Sequence, residues 1–217
     1  MDDDPGEVGT YGQDPAYGHG THVAGIVVLT APEAGLMPVR VLDRHGVGNI
    51  WVLAEAPIYP VDPDNNPATP DGANVINISL GTLRPTNLLA EIVAEVTCGH
   101  GAQDADEDDE DGRCSGAAGY DVVVVAAAGN RGTAIAEYPA AEQQPGLLAV
   151  AASTQGDELA DLSSYGAWVP VAAPGANILS SVPGGGYGTW SGTSMAALCW
   201  PAGSSFQVKL KLKAPLF

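Results

Sequence analysis

The hydrophobic positions of this chain come in short unbroken runs rather than in alternation. Pro38-Val39-Arg40-Val41-Leu42, Val75-Ile76-Asn77-Ile78-Ser79-Leu80, Val122 to Ala128, Leu147 to Ala152 and Val169 to Ala173 are rich in valine and alanine. A strand with one wet face alternates apolar and polar residues; a strand buried on both faces does not, and that is the habit of parallel sheets. Each run therefore reads as a buried strand. Between them the period becomes helical, over Thr21 to Thr30 and more clearly over Asn87 to Val96, with Asn87 available as N-cap. Strand alternating with helix predicts an α/β fold of three layers, αβα, around a mostly parallel central sheet. No internal repeat is visible.

Two polar stretches read as surface loops. Residues 60–73, PVDPDNNPATPDGA, are saturated with turn formers. Residues 99–119 contain DADEDDED, seven carboxylates in eight positions, a run that repels itself and stays solvated. Cation binding is the alternative there, but the spacing misses the calcium-loop template, which needs glycine at its sixth position.

The 217 residues amount to one domain with room for a proper core, and 45% hydrophobic with 16% charged residues is a globular composition. A formal net charge of −18 argues against a nucleic-acid partner and suits a soluble protein in a salty or calcium-containing medium. No apolar run is long enough for a membrane span. The opening MDDDPGEVG has no apolar core and is not a signal peptide, so the reading is a cytosolic protein or a chain without its natural beginning. Of three cysteines, Cys98 and Cys114 flank the acidic loop. A bridge between them would contribute roughly 3 kcal/mol in the chain-entropy model, and two free thiols are the alternative.

Composition changes at Pro201. The only lysines are Lys209, Lys211 and Lys213, the only phenylalanines Phe206 and Phe217, and no acidic residue follows Asp161. The division is a domain over 1–200 and an atypical basic tail over 201–217.

Ser194 stands among small residues in Gly192-Thr193-Ser194-Met195-Ala196, at an expected helix start where a nucleophile could be exposed. It needs a base, and the four histidines, His19, His22, His45 and His100, all precede it. An α/β-hydrolase elbow requires its histidine after the serine and is excluded by order. A chymotrypsin-like fold has histidine first but is all-β, against the buried parallel runs. His19 and His22 lie in GHGTHVAG, whose small residues leave room for a substrate and for the nucleophile's helix. As metal ligands they lack the glutamate of HExxH. His45 and His100 read as ordinary surface residues.

GHGTHVAG, the AAAGN of Ala126 to Asn130 and the SGTSMA of Ser191 to Ala196, in this order, resemble the subtilisin-like serine proteases. The likeness runs from about Gly18 to Ala197 and takes in VRVLDRHGVG, VINISLG and AAPGANILSSVPGGGYGTWSGTSMA. The resemblance implies His19 as general base, His22 as a structural residue and Ser194 as the nucleophile that attacks a peptide carbonyl. It implies that the Asn130 side chain and the Ser194 N–H hold the developing oxyanion. It also implies that Ser79-Leu80-Gly81 and Gly46-Val47-Gly48 flank the cleft and pair with substrate as an added strand. Only Thr30 to Met37 joins the histidine helix to the next run, so no calcium site is expected there and no cofactor is implied elsewhere, calcium being the weak exception.

The same resemblance calls for an aspartate within D-[ST]-G before the histidine. Asp2, Asp3, Asp4 and Asp14 precede His19, and DDPG at 3–6 is the nearest imitation, with Asp4 the first choice. The reading places the catalytic aspartate and its strand outside this polypeptide. Loss of that carboxylate lowers turnover by about 10⁴-fold in serine proteases, subtilisin itself among them, so activity is expected to be impaired. The nucleophile helix is also expected to be truncated, because Trp200-Pro201 follows at once. Dropping one nucleotide from codons for Ala-Pro-Leu-Leu-Ala-Gly yields Ala-Leu-Cys-Trp-Pro-Ala, which is what stands at 197–202, so the tail reads as out of frame. The expected function is a serine endopeptidase acting on protein or peptide, monomeric and, by resemblance, exported. The alternative is a non-catalytic peptide-binding relic of the same fold.

Overall fold

Four of the five apolar runs form the sheet in the computed structural model, which describes residues 14–97 and 122–199 apart from 15, 44, 67, 68 and 70. The strands are β1 (Val75–Ile78), β2 (Val123–Ala127), β3 (Leu147–Ser153) and β4 (Val171–Pro174), all parallel and in spatial order β1-β2-β3-β4. Their lack of alternation has the expected cause. Val124 and Val125, neighbours in β2, point to opposite faces, and both are buried, in different apolar clusters. On one face Val125, Val150, Ala152 and Ala173 meet Ala196 and Ala197 of the serine segment. On the other Ile76, Ile78, Val122 and Val124 meet Val96 of the helix Asn87–Thr97. Helix, sheet and helix are the three layers.

The fifth run departs from expectation. Pro38 to Leu42 forms no strand; Leu42 alone makes a bridge, to Gly48. A strand exists only with a ladder partner for its N–H and C=O groups, and among the described residues this run has none, while β1 ends the sheet on one side. Pro38 and Arg40 are accordingly exposed.

The helices are α1 (His19–Thr30), α2 (Ile50–Glu55), α3 (Asn87–Thr97) and α4 (Thr193–Ala196). Asn87 is not the cap of α3: it lies inside the first turn, and Thr86 Oγ1 accepts the Leu89 N–H at 3.2 Å instead. The short α2, not expected from the sequence, is capped by Asn49, whose Oδ1 accepts the Trp51 N–H at 2.9 Å. After β4 the chain turns back as an antiparallel hairpin, β5 (Ile178–Val182) and β6 (Gly186–Trp190). Its tip needs glycine twice, since Gly184 and Gly185 have φ of 90° and 85°.

Helix α1 packs on β5 at Gly25, where a Cβ would collide with the hydroxyls of Ser180 and Ser181. Those hydroxyls donate to the carbonyls of His22 (2.7 Å) and Thr21 (3.1 Å), so the hairpin grips the histidine helix by its backbone. The loop 60–73 is irregular as expected, beginning with one 3₁₀ turn at Tyr59–Val61. The acidic run, Cys98, Cys114, His100, Asp2, Asp3 and Asp4, and the tail 201–217 lie outside the described residues. Among the described residues no helix is long and apolar enough to cross a membrane.

Candidate active site

Ser194 is the second residue of α4, a helix of four residues whose every side chain is buried. Residues 192–198 are all buried, so this segment is held by packing rather than by its own hydrogen bonds. Met195 and Leu198 join Ile26 of α1 in one apolar cluster, and Ala196 and Ala197 join the sheet in another. The glycine before the serine is needed for closeness: a Cβ on Gly192 would lie 3.3 Å from Asn130 Nδ2.

Asn130 follows β2 and is fastened by Thr193. The Thr193 N–H donates to Asn130 Oδ1 at 2.8 Å, and its hydroxyl donates to the same oxygen at 3.0 Å. That hydroxyl in turn accepts the Gly129 N–H at 3.0 Å. With Oδ1 occupied from inside, the amide NH₂ of the exposed Asn130 remains for a partner in the cleft. The Ser194 N–H belongs to the first turn of α4, where a helix offers no internal acceptor. The Asn130 amide, fastened to Thr193, and the Ser194 N–H thus both belong to the serine's segment or to its direct hydrogen-bond partner.

Ser79, just after β1, is interlocked with Ser194. Ser194 Oγ donates to the Ser79 carbonyl at 3.2 Å, and Ser79 Oγ, which accepts from Asn77 Nδ2, donates to the Ser194 carbonyl at 3.1 Å. The serine hydroxyl is therefore engaged with a backbone carbonyl and not with an imidazole. Leu80 turns partly into the core, and Gly81 is exposed.

His19 opens α1 after Gly18, whose φ of 91° is left-handed and suits glycine. Trp190, four residues before Ser194, lies beside both histidines, with ring centroids 6.3 Å from His19 and 4.9 Å from His22. Burial holds the His19 imidazole below its usual range, with a smaller contribution from His22. His22 is fully buried, stacked on Trp190 within 7° of parallel, and its Nε2–H donates to the Gly188 carbonyl at 3.1 Å. It fixes β6 against α1. No carboxylate among the described residues contacts His19. Asp14 lies 3.8 Å from His45 instead.

The Gly46-Val47-Gly48 segment is an exposed turn organised by Asp43, whose Oδ1 accepts from Val47 N (2.9 Å) and His45 N (2.8 Å). These bonds, Val47's foremost, hold the Asp43 carboxyl below its ordinary range. The turn abuts Ala16, just ahead of His19. The structure thus groups Ser194, Asn130 and Ser79 at one point, with His19 beside Trp190 and the 46–48 turn near the start of α1. Thr193 and Trp190 were not anticipated; only their position inside the SGTSMA-bearing segment hints at them. Asp62, Asp64 and Asp71 also cluster, with carboxylate oxygens within 4.8 Å of one another. Asp62 and Asp64 each accept the Asn66 N–H, at 2.7 and 2.9 Å, which makes them scaffolding of their loop.

The model of the Subtilase family (Peptidase_S8) matches residues 2–200. This chain belongs to the subtilase family. A thermophilic serine proteinase of Bacillus sp. (strain AK1) is 38% identical to this subtilase over 189 residues, 82% of the chain and 39% of that protein. Thermitase of Thermoactinomyces vulgaris is 37% identical over 82% of the chain and 57% of its own length. Subtilisin Savinase of Lederbergia lenta is 34% identical over 88% of the chain and 62% of its own. A solved structure, that of a cold adapted subtilisin-like serine proteinase, superposes with a TM-score of 0.65 at 27% identity, over 85% of this subtilase and 58% of that chain. The chain therefore spans about 39–62% of the length of these relatives.

Proposed function

We propose that this subtilase is a serine endopeptidase domain in which Ser194 attacks a peptide carbonyl, His19 takes its proton, and Asn130 Nδ2 with the Ser194 N–H receives the oxyanion. The observation that carries the reading is the double tether of Asn130 Oδ1 by Thr193. It turns a side-chain amide into a fixed donor beside the serine, and fixed donors act on charge that exists only in the transition state. Substrate backbone would add along Ser79-Leu80-Gly81 on one side, with Gly46-Val47-Gly48 on the other, which suits protein or peptide substrates read mainly by main chain.

In the reaction Ser194 Oγ leaves the Ser79 carbonyl and turns to His19, whose lowered pKa keeps the imidazole neutral and able to accept the proton. The carbonyl carbon gains the Oγ bond and its oxygen takes the negative charge against the two N–H donors. Protonation of the leaving amine by the His19 imidazolium then releases one peptide and leaves an ester on Ser194, which water cleaves by the reverse sequence.

The engagement of Ser194 Oγ with Ser79 favours one competing reading, a cleft that binds peptide without cleaving it. A fluorophosphonate probe separates the two. On a sample shown to be folded by circular dichroism, covalent labelling that maps to Ser194 and disappears in Ser194→Ala and His19→Ala supports the endopeptidase. A folded sample that never labels supports the binding module.

A further inference from the structure

Trp190 lies against both histidines, and the proposed chemistry gives it no part. Its indole packs with Ile26, Met195 and Leu198, and its backbone is paired with Ile178 across the hairpin. His22 fixes the plane of the ring. That imidazole is fully buried and donates from Nε2 to the Gly188 carbonyl at 3.1 Å. It lies 7° from parallel with the indole, at a centroid separation of 4.9 Å. His19 precedes His22 by one turn of α1, so the two imidazoles share a helix face and meet the same indole. The His19 ring stands 25° from the indole plane with centroids 6.3 Å apart. Offset aromatic rings attract over roughly 4.5–7 Å.

Orientation thus passes along a line of contacts: the Gly188 carbonyl holds His22, His22 holds the indole, and the indole meets His19. The terminal torsion of a histidine is otherwise broad, so a preset flat neighbour narrows the directions in which the imidazole can point. The indole also acts on charge. Its face is negative, so it favours the imidazolium that forms when Ser194 gives up its proton over the neutral ring. At 6.3 Å the pair stands at the outer reach of such attraction, about 6 Å, so the weak end of the range applies. Burial works in the opposite sense, holding the His19 pKa down, with His22 adding to it. The indole's cover and the indole's face therefore pull the same proton in opposite directions, and that separates them experimentally.

We infer that Trp190 is a positioning residue for the proposed reaction, one that sets the plane of the His19 imidazole and favours its protonated form through the face of the indole. The inference rests on His19 as the base proposed above and goes beyond it in naming the group that holds that base ready. Trp190 exchanges no proton and forms no bond to substrate.

NMR titration of the His19 imidazole in the Ser194→Ala chain is the test, since it needs no catalysis. Trp190→Leu keeps an apolar cover and removes the aromatic face, so the acid dissociation constant of the His19 imidazolium should rise about twofold. Trp190→Phe should restore part of the difference. A plain packing role predicts the reverse: loss of the indole uncovers the imidazole, and its pKa climbs back toward 6.5. Should Trp190→Leu not fold, expression with a polyfluorinated tryptophan weakens the negative face at nearly unchanged shape and should move the constant the same way. Fluorophosphonate labelling of the otherwise native chain is read beside the titration. In Trp190→Leu the limiting labelling rate should fall about tenfold, the cost of a base held less well, with little change in the half-saturating probe concentration, and Trp190→Phe should recover most of it. An unmoved or lowered dissociation constant, or a parent labelling rate in Trp190→Leu, would overturn the inference. A parent chain that never labels sinks the endopeptidase reading and leaves the titration to decide on Trp190; a parent that labels while the titration stays flat keeps the peptidase and removes Trp190 from it.

Discussion

Replacing Thr193 by valine tests whether the oxyanion donor is fixed by the threonine hydroxyl. The side chain is fully buried, and valine copies its shape without the oxygen. Two hydrogen bonds of 3.0 Å vanish, one from the Gly129 N–H and one to Asn130 Oδ1. The second is lost at an exposed residue where water substitutes, so it contributes little to stability. The first leaves a partly buried N–H without an acceptor, which costs about 1–3 kcal/mol. For a chain of this size about 2 kcal/mol corresponds to a fall in Tm of roughly 4–8 °C, measurable by circular dichroism. The functional effect is larger than the stability effect suggests, because Asn130 keeps only its bond from the Thr193 N–H. Complete loss of such a donor costs about 10²–10³ in rate, a range that comes from subtilisin itself. Half-tethered, Asn130 should slow fluorophosphonate labelling of Ser194 by about tenfold or more. Thr193→Ser keeps the hydroxyl and should restore most of both. Parent values of Tm and labelling rate in Thr193→Val would refute the argument. So would an equal loss in Thr193→Ser, which would transfer the effect to the methyl group.

Four further outcomes follow from the same structure. Because burial lowers the His19 pKa from 6.5, the neutral base persists to lower pH; the rate of labelling should rise with pH through a midpoint below 6.5, and a midpoint above it would contradict the burial. The same shift makes stability fall as pH drops below 6.5, since the unfolded chain binds the proton first, and His19→Gln should flatten that part of a Tm–pH curve. A Cβ at Gly175 would stand 2.5 Å from Ala152 Cβ, 2.8 Å from the Gly192 carbonyl and 3.0 Å from Ala196 Cβ, so Gly175→Ala should destabilise by about 1–3 kcal/mol and slow labelling by shifting α4, read by thermal melts and the probe. Val124→Ala, at a fully buried position of β2 on the sheet face away from Ser194, should cost about 2–3 kcal/mol in denaturant unfolding without altering the labelling rate per folded molecule.

What could be read from the sequence divides along a physical line. The runs at 75–80, 122–128, 147–152 and 169–173 announced strands because burial on both faces writes itself into every residue. The run 38–42 has the same letters and no ladder, since pairing depends on a neighbour the run itself does not encode. Helix α3 was legible by period, but its cap passed from Asn87 to Thr86, a shift of one residue that side-chain preference alone does not fix. At the site, the residue types demanded by the chemistry stood out: a histidine among glycines, an asparagine after a strand, a serine among small residues. The residues that hold them did not. Thr193 and Trp190 act through distances between segments far apart in sequence.

The position of the nucleophile is the strongest case of this dependence on distant segments. A helix of four residues has almost no stability of its own, so Ser194 cannot owe its place to α4 as a helix. Its anchors come from everywhere else. Ala196 and Ala197 sit in the sheet cluster, Met195 and Leu198 in the cluster with Ile26. The Gly192 N–H donates to the Gly175 carbonyl at 2.8 Å, and Thr30 Oγ1 donates to the Leu198 carbonyl at 3.3 Å. The last of these and the Met195–Ile26 cluster join the serine segment directly to the histidine helix. Base and nucleophile therefore move as one body with the hairpin that grips α1. Damage to the hairpin, far from any reacting atom, should then reach Ser194 through α1.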